Sequence, residues 1–372
     1  MYLTFFLCKS FLLYPFYKLY IKNNSQISFF GETVSSKNLQ KASNSIEDSL
    51  DLNMRAGDVS EPITRVMKYE ASEIRLHCLR DIKFVGLDAI PFNNGQYYSP
   101  NQRRLHWKYN EWSHNMSGSP FVIGTSHFRE LKRETGNFVC IRNDTNYYHY
   151  VTEELIKLYY ANTLFDDFGI INNFPYLNFH RDFRELMEHP IINYRDGMKV
   201  SNLLEINRLN HSSHALKYLR DWMTEQARIS DHKFNKTDYI FSVRSGSRKI
   251  QNIAEIKDVL DETGLDIRYI DFSRTSVIED ILTISECKGI IGGHGAGLTN
   301  LIWGRDLKIL EIGVPRKSSC FANLSQMLGH EYRYFDTPKA GIKSNDIEVP
   351  VQDFVEFTNK YLCKTTDNND IG

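Results

Sequence analysis

The stretch GGHGAGLTN, residues 292–300, places four glycines, a histidine and two small polar residues within nine positions. Such a run can let a backbone approach a phosphate, complete an oxyanion hole, or simply turn a strand into a helix. Two other sets of residues invite chemistry. Arg244 and Arg248 follow the apolar run YIFSV and offer guanidinium groups to an anion. His149 and Glu153 stand four residues apart, a spacing that on a helix stacks an imidazole and a carboxylate on one face, as a general base and its orienting partner require.

The elements that must hold these residues are clearest after residue 238. DYIFSVR, DIRYIDF, GIIGG, LKILEIG and EYRYFD read as strands, and NIAEIKDVLDETG, SVIEDILTISEC, AGLTNLIWG and CFANLSQMLG as the helices between them. Five strands alternating with four helices predict a doubly wound parallel sheet, because a right-handed crossover between parallel strands needs a helix. The glycine run is then a strand-to-helix turn at the carboxyl rim, where such sheets bind ligands. Arg244 and Glu311 end strands on the same rim. VQDFVEFTNKYL adds a last amphipathic helix.

Three known uses of glycine-rich turns can be compared with this one. A P-loop needs a Lys after its last glycine, and none follows Gly297. The dinucleotide fingerprint G-x-G-x-x-G fails because Asn300 stands at its third glycine. His294-Gly295-Ala296-Gly297 imitates the oxyanion motif of lipases, yet the chain has no G-x-S-x-G elbow. Diphosphate binding and a bare structural turn stay open.

Composition sets outer bounds. A chain of 372 residues, 41% hydrophobic and 24% charged, is large enough for two α/β domains. A net charge of −1 supplies no field for nucleic acid. The six cysteines are dispersed without zinc-ligand spacing, and Cys140 and Cys287 lie in apolar runs as small buried residues. An aromatic content of 13% suits sugar-stacking faces but is more simply core.

The first half is less regular. Residues 1–22 form a hydrophobic segment, interrupted by Lys9 and Pro15, that falls short of the roughly 20 clean apolar residues of a span. It is a candidate membrane anchor or interfacial segment, and Lys18 and Lys22 behind it would keep the rest cytoplasmic. A flexible linker is expected over 23–60. IRLHCLRDIKFVGL, GNFVCI, FPYLNFH and KVSNLLEI read as strands of a mixed sheet, and HALKYLRDWMTEQARI as a helix between the halves. NYYHYVTEELIKLYY carries its apolar residues at helical spacing, with His149 and Glu153 beside the stripe and Glu154 on the surface. Six N-x-[ST] sequons carry little weight in so Asn-rich a chain.

GIIGGHGAGLTNLIWG followed by LKILEI closely resembles the signature of family 61 glycosyltransferases. Arg244 and Arg248 in YIFSVRSGSRKIQNIAEI, with Asn252 opening a helix, fit the same pattern. So does the N-x-x-H element in NYYHYVTEELIKLYY with its acidic residue four positions on. The resemblance spans roughly 70–335. It implies a GT-B architecture of two facing Rossmann-like domains and inverting sugar transfer without an essential metal or other cofactor.

The implied organisation is an acceptor-side domain over 61–210, a nucleotide-sugar-binding domain over 211–345, and a C-terminal helix and tail over 346–372. The resemblance implies that the donor is held by Arg244, Arg248, Gly293, His294, Gly295, Ala296, Gly297, Leu298 and Thr299. Glu311 then stands ready for a ribose. Glu153 is the preferred base, on its acidic family counterpart, and His149 the fallback. No D-x-D pair is present for a divalent cation, so the turn and the arginines must stabilise the leaving diphosphate. The expected partners are a nucleotide-sugar donor and a glycan acceptor, either a surface polysaccharide or lipopolysaccharide at a cytoplasmic membrane face, or a protein-linked glycan in the ER or Golgi lumen. The rival from another class is a non-catalytic nucleotide-sugar or glycan-binding module on the same fold.

Overall fold

The computed structural model describes residues 32–33, 76–85, 89–93, 96–97, 131, 133–142, 144–173, 177–206, 213–246, 248–313, 320–337 and 346–362. The hydrophobic segment at 1–22, nearly all of the 23–60 linker and the end of the tail lie outside these residues. Among the described residues no helix is long and apolar enough to cross a membrane.

The first half builds one mixed sheet from β1 (Glu32–Thr33), β2 (Leu76–Val85), β3 (Ile90–Asn93), β4 (Gln96–Tyr97), β5 (Arg133–Arg142), β6 (Gly169–Asn173), β7 (Ile191–Asn193) and β8 (Lys199–Ile206). Their order is β4-β3-β2-β8-β5-β6-β7, with β1 against β2. β8, β5, β6 and β7 run parallel, while β2 pairs antiparallel with β1, β3 and β8. β2, β5 and β8 are the strands expected from the sequence.

Helical residues follow β5 as α1 (Tyr147–His149), a π turn (Tyr150–Leu155) and α2 (Lys157–Leu164). Then come α3 (Asn178–Glu185) and α4 (Ser213–Ile229). FPYLNFH, expected as a strand, enters α3 instead. Phe179 and Phe183 are four apart, and both pack on the main core, so the helical period wins over local β propensity.

The second half is the parallel sheet that the alternation predicts. β9 (Tyr239–Ser242), β10 (Ile267–Ile270), β11 (Gly289–Gly293), β12 (Lys308–Gly313) and β13 (Glu331–Asp336) stand in the order β10-β9-β11-β12-β13, all parallel. The connecting helices are α5 (Ile253–Asp261), α6 (Val277–Glu286), a 3-10 helix (Ala296–Trp303) and α7 (Cys320–Leu328), and α8 (Val351–Leu362) closes the chain. Successive strand residues face opposite layers. Ile240, Ile290 and Ile309 enter the main core, whereas Phe241, Ile291 and Leu310 pack in a second cluster with Phe354 of α8. Burial on both faces explains why these strands read as continuous apolar runs.

The main core does not stop at the boundary between halves. Val139, Ile170 and Leu204 of the first sheet share it with Ile290 and Ile309 of the second, through side chains of α2, α4, α6 and the 3-10 helix. One helical layer is therefore common to both sheets. Polar bonds reinforce it: Asp182 of α3 accepts from the Val277 backbone N–H at 2.9 Å, capping α6 together with Ser276.

Cys140 and Cys287 are buried free thiols, as expected, and burial pushes both up to about 12. Asp280, on α6, is 3% exposed, and among the described residues its Oδ1 has no hydrogen-bond partner. Burial raises its carboxyl well above 3.8. The native state therefore holds this proton more tightly than the unfolded chain, so the group's contribution is full below 3.8 and declines as pH rises toward the raised value. Asp280→Asn abolishes that decline. The Tm of the variant relative to wild type is expected to climb with pH, reaching roughly 2–4 °C for each kcal/mol involved. A thermal-shift series over pH reads it, and a pH-independent difference would contradict the assignment.

Candidate active site at the sheet switch point

The chain order of the second sheet is 2-1-3-4-5, so crossovers leave to opposite faces between its first and third strands, β9 and β11. A crevice opens at the carboxyl ends of such a pair. Both expected donor elements lie there, since Gly292 of β11 is in register with Ser242 of β9. Beyond β9 the chain carries Arg244, and beyond β11 the glycine turn.

The two meet directly. Arg244 Nη1 donates to the His294 carbonyl at 3.4 Å. A Cβ on Gly295 would lie 1.6 Å from the same nitrogen. Gly295 has an extended backbone at φ 172°, so it is the guanidinium, not the dihedral angle, that demands glycine. Gly297 answers to the neighbouring side chain, as a Cβ there would stand 2.7 Å from Ser242 Oγ. At Gly293 a Cβ would meet nothing closer than 3.9 Å. The spacing GAG thus bares two points of the turn to β9.

These contacts separate two kinds of glycine by experiment. Gly295→Ala displaces only the end of a flexible side chain, so Tm is expected to move by no more than about 2 °C. On the sequence expectation that this turn holds the donor, kcat/KM for that donor is expected to fall on the order of tenfold as Arg244 leaves the turn. Gly289→Ala, within β11, would set a Cβ 2.3 Å from the Lys308 carbonyl and is expected to cost about 1–3 kcal/mol of stability. Equal melting losses in the two variants would contradict this division.

The turn runs into the expected helix, which is of 3-10 type and is closed first by Leu298 N–H to the Gly295 carbonyl at 2.9 Å. The N–H groups of Ala296 and Gly297 precede that ladder and belong to the turn. His294, Ala296 and Gly297 are part-exposed, while Leu298 and Thr299 are 0% exposed. Leu298 packs in the main core, and Thr299 is buried beside it in sequence with its Oγ1 unpartnered among the described residues.

Arg248 lines a small cavity of ≈ 30 Å³ with Arg244, Ser242, Val243 and Gly293 at this rim. Its φ is 61°, in the left-handed region. That conformation is sparsely used by residues other than glycine, and here the flanking chain holds it. Lys249 N–H bonds Asp346 Oδ1 at 3.1 Å, and Gln251 N–H bonds the Ile347 carbonyl at 2.9 Å. Asn252 precedes α5 as expected, yet its side chain exchanges two bonds with the Val349 backbone, at 2.8 and 3.0 Å. The 346–349 segment therefore braces the arginine loop.

His294 and Glu311 form a pair, with Nδ1 and Oε1 2.5 Å apart. Tyr332 of β13 donates to the other carboxylate oxygen at 2.6 Å. Glu311, expected to accept from a ribose, is 3% exposed with both oxygens already engaged.

The second candidate pair also forms. His149 Nδ1 lies 2.6 Å from Glu153 Oε1, the imidazole being 41% exposed and the carboxylate 21%. Asn146, the first residue of the N-x-x-H element, caps this helix by accepting from Tyr148 N–H at 3.0 Å. Glu154, expected on the surface, is buried: it pairs with Lys157 and accepts from Arg142 N–H at 2.8 Å. The π turn rephases the helix there, which straight-helix spacing misses, and such turns are frequent at functional sites.

Aromatic residues join the two pairs. Phe321 of α7 stands edge-on to both Tyr148, at 5.8 Å, and His294, at 5.2 Å. Tyr147 donates to Asn300 Oδ1 at 2.7 Å and receives Trp303 Nε1–H at 3.2 Å, which fastens α1 to the 3-10 helix. Tyr147, Asn300, Trp303, Phe321 and Tyr332 were not foreseen as site residues. The polar–indole pair at 300/303 was the one readable sign.

Arg244 and Arg248 at a glycine turn on the switch point of a parallel sheet, and an imidazole–carboxylate pair in the other half, belong to a mixed α/β protein with two sheets containing parallel strands. Residues 147–309 match the family described as Glycosyltransferase 61. That match supports a family 61 glycosyltransferase, and it begins at Tyr147 of the helix clamp and ends in β12. No curated protein matches the chain. Among solved structures, E. coli heptosyltransferase WaaC with ADP is similar at a TM-score of 0.33 and 7% identity, over 60% of this chain and 97% of that one.

Proposed function

We propose that the protein is an inverting glycosyltransferase that moves a sugar from a nucleotide-sugar donor to a glycan acceptor. The observation that carries the reading is the seating of Arg244 on Gly295 at the switch point. It brings a guanidinium and the turn N–H groups of Ala296 and Gly297 to one crevice, where charge builds on the departing diphosphate. Those groups supply the positive potential that a divalent ion would otherwise give, so transfer proceeds without an essential metal. On a GT-B reading the second sheet holds the donor and the first presents the acceptor, with the Tyr147 clamp at their seam.

The acceptor hydroxyl attacks the anomeric carbon as the bond from that carbon to the diphosphate oxygen breaks. Its proton passes to the His149–Glu153 pair. From sequence Glu153 is the preferred base, but the exposures support His149 in that role. Its ring is the outer member of the pair, and the less exposed carboxylate holds Nδ1. A surface polysaccharide, lipopolysaccharide or protein-linked glycan fits as acceptor, at a membrane face or in the secretory lumen.

The test is turnover of a panel of nucleotide sugars by the full chain, with and without EDTA. Release of nucleoside diphosphate from at least one donor, unchanged by EDTA, is expected. Measurable donor binding with no turnover in any mixture of donor and glycan would instead favour a non-catalytic binding module.

A further inference from the structure

We propose that Glu311 and Tyr332 are positioning residues that fix the ring of His294 with Nε2 toward the crevice, where it contacts the diphosphate of the donor. The inference rests on the donor site argued above and extends it to two residues that touch no ligand.

The geometry is that of a carboxylate held from two sides. Glu311 sits within β12, with a side chain 4% exposed, beneath a His294 ring that is 14% exposed. A buried carboxylate needs donors for its oxygens. Here His294 Nδ1 serves Oε1 at 2.5 Å and the Tyr332 hydroxyl serves Oε2 at 2.6 Å. Burial, followed by the charge of Glu311, pushes the Tyr332 hydroxyl well above its ordinary range, so it remains a donor. On this proposal the ring proton is on Nδ1, facing Glu311 Oε1. Nε2 is then the ring atom left for a ligand, and among the described residues the ring's recorded hydrogen bond is the one at Nδ1.

The ring has little freedom to turn away. His294 N–H bonds the Ile312 carbonyl at 3.0 Å, Arg244 Nη1 donates to the His294 carbonyl, and Phe321 lies edge-on at 5.2 Å. β12 and α7 therefore meet the imidazole directly, with β13 behind Glu311 and the chain after β9 holding the His294 backbone. A residue needed only to brace the turn would be served by its backbone bonds. A tyrosine–carboxylate relay behind the ring adds orientation of Nε2, as outer partners do for imidazoles that bind ligands.

The experiment is a double-mutant cycle on donor affinity, read by calorimetry with UDP and GDP, using Tyr332→Phe, His294→Ala and the pair. Tyr332→Phe keeps the ring and removes one hydroxyl. It is expected to weaken binding of whichever nucleotide wild type binds by about 3- to 10-fold, and His294→Ala by on the order of 10-fold or more. With His294 already absent, Tyr332→Phe is expected to change nothing further. Glu311→Gln, which keeps the shape and one acceptor, should fall between wild type and His294→Ala. Equal effects of Tyr332→Phe with and without His294 would overturn the positioning role. In parallel, ¹⁵N-histidine NMR, with His294→Ala supplying the assignment, is expected to show the proton on Nδ1 in wild type. A proton on Nε2 alone would also overturn it. Failure of wild type to bind any nucleotide tells against the donor site itself, while the NMR result still judges the relay.

Discussion

Removing the ring of His149 is expected to lower kcat by about 10²- to 10⁴-fold while leaving donor affinity within a factor of a few. On the proposed function the effect belongs to kcat, because proton removal from the acceptor is a transition-state event and the proposed donor rim belongs to the other half. Glu153→Gln is expected to cost nearly as much, since Oε1 sits 2.6 Å from Nδ1 and sets which ring nitrogen bears the proton. The two losses should not add. The double variant should resemble His149→Ala alone, because both changes disable one unit. Rescue decides which member takes the proton: imidazole restores His149→Ala if the ring is the base, and formate restores Glu153→Ala if the carboxylate is. The part-exposed position of both side chains predicts little change in Tm.

Arg244→Ala is expected to act on the other side of the reaction. It removes the guanidinium from Gly295 and leaves a cavity at the rim rather than in the core. Loss of one preorganised donor to developing diphosphate charge is expected to lower kcat by on the order of 10²-fold and to weaken nucleotide binding as well. Arg244→Lys should recover only part of this, since an ammonium cannot bond the His294 carbonyl and a phosphate with one planar fork. The comparison with Gly295→Ala is informative. Both changes take the same guanidinium from the same place, so in combination they should cost no more than Arg244→Ala alone.

Much of this arrangement is legible in the sequence, for identifiable reasons. The five parallel strands are plain because both faces of the second sheet are buried, which writes them as short apolar runs with a helix between each pair. Strand order follows less directly, yet the rim placement of Arg244 and the turn needs only that β9 and β11 be neighbours. The pairing of His149 with Glu153 is readable because one turn of helix brings them together.

What escaped depends on departures from regular geometry or on contacts across elements. Glu154 reads as surface on a straight helix, and the π turn buries it. FPYLNFH has strand-like composition, but Phe179 and Phe183 pack on the core that both halves share. Tyr332 reaches Glu311 only because β13 lies beside β12, and no local spacing encodes that. Two halves expected as facing domains share one helical layer, which periodicity within either half cannot reveal.

The central claim is that the crevice between β9 and β11 binds the diphosphate of a nucleotide sugar through Arg244 and the glycine turn. The most direct measurement is calorimetric titration of wild type and Arg244→Ala with UDP and GDP in the presence of EDTA. Binding of one nucleoside diphosphate to wild type, unaffected by the chelator and weakened about tenfold or more in Arg244→Ala, is the predicted result. Binding that vanishes in EDTA, or that is equal in the two proteins, would contradict it.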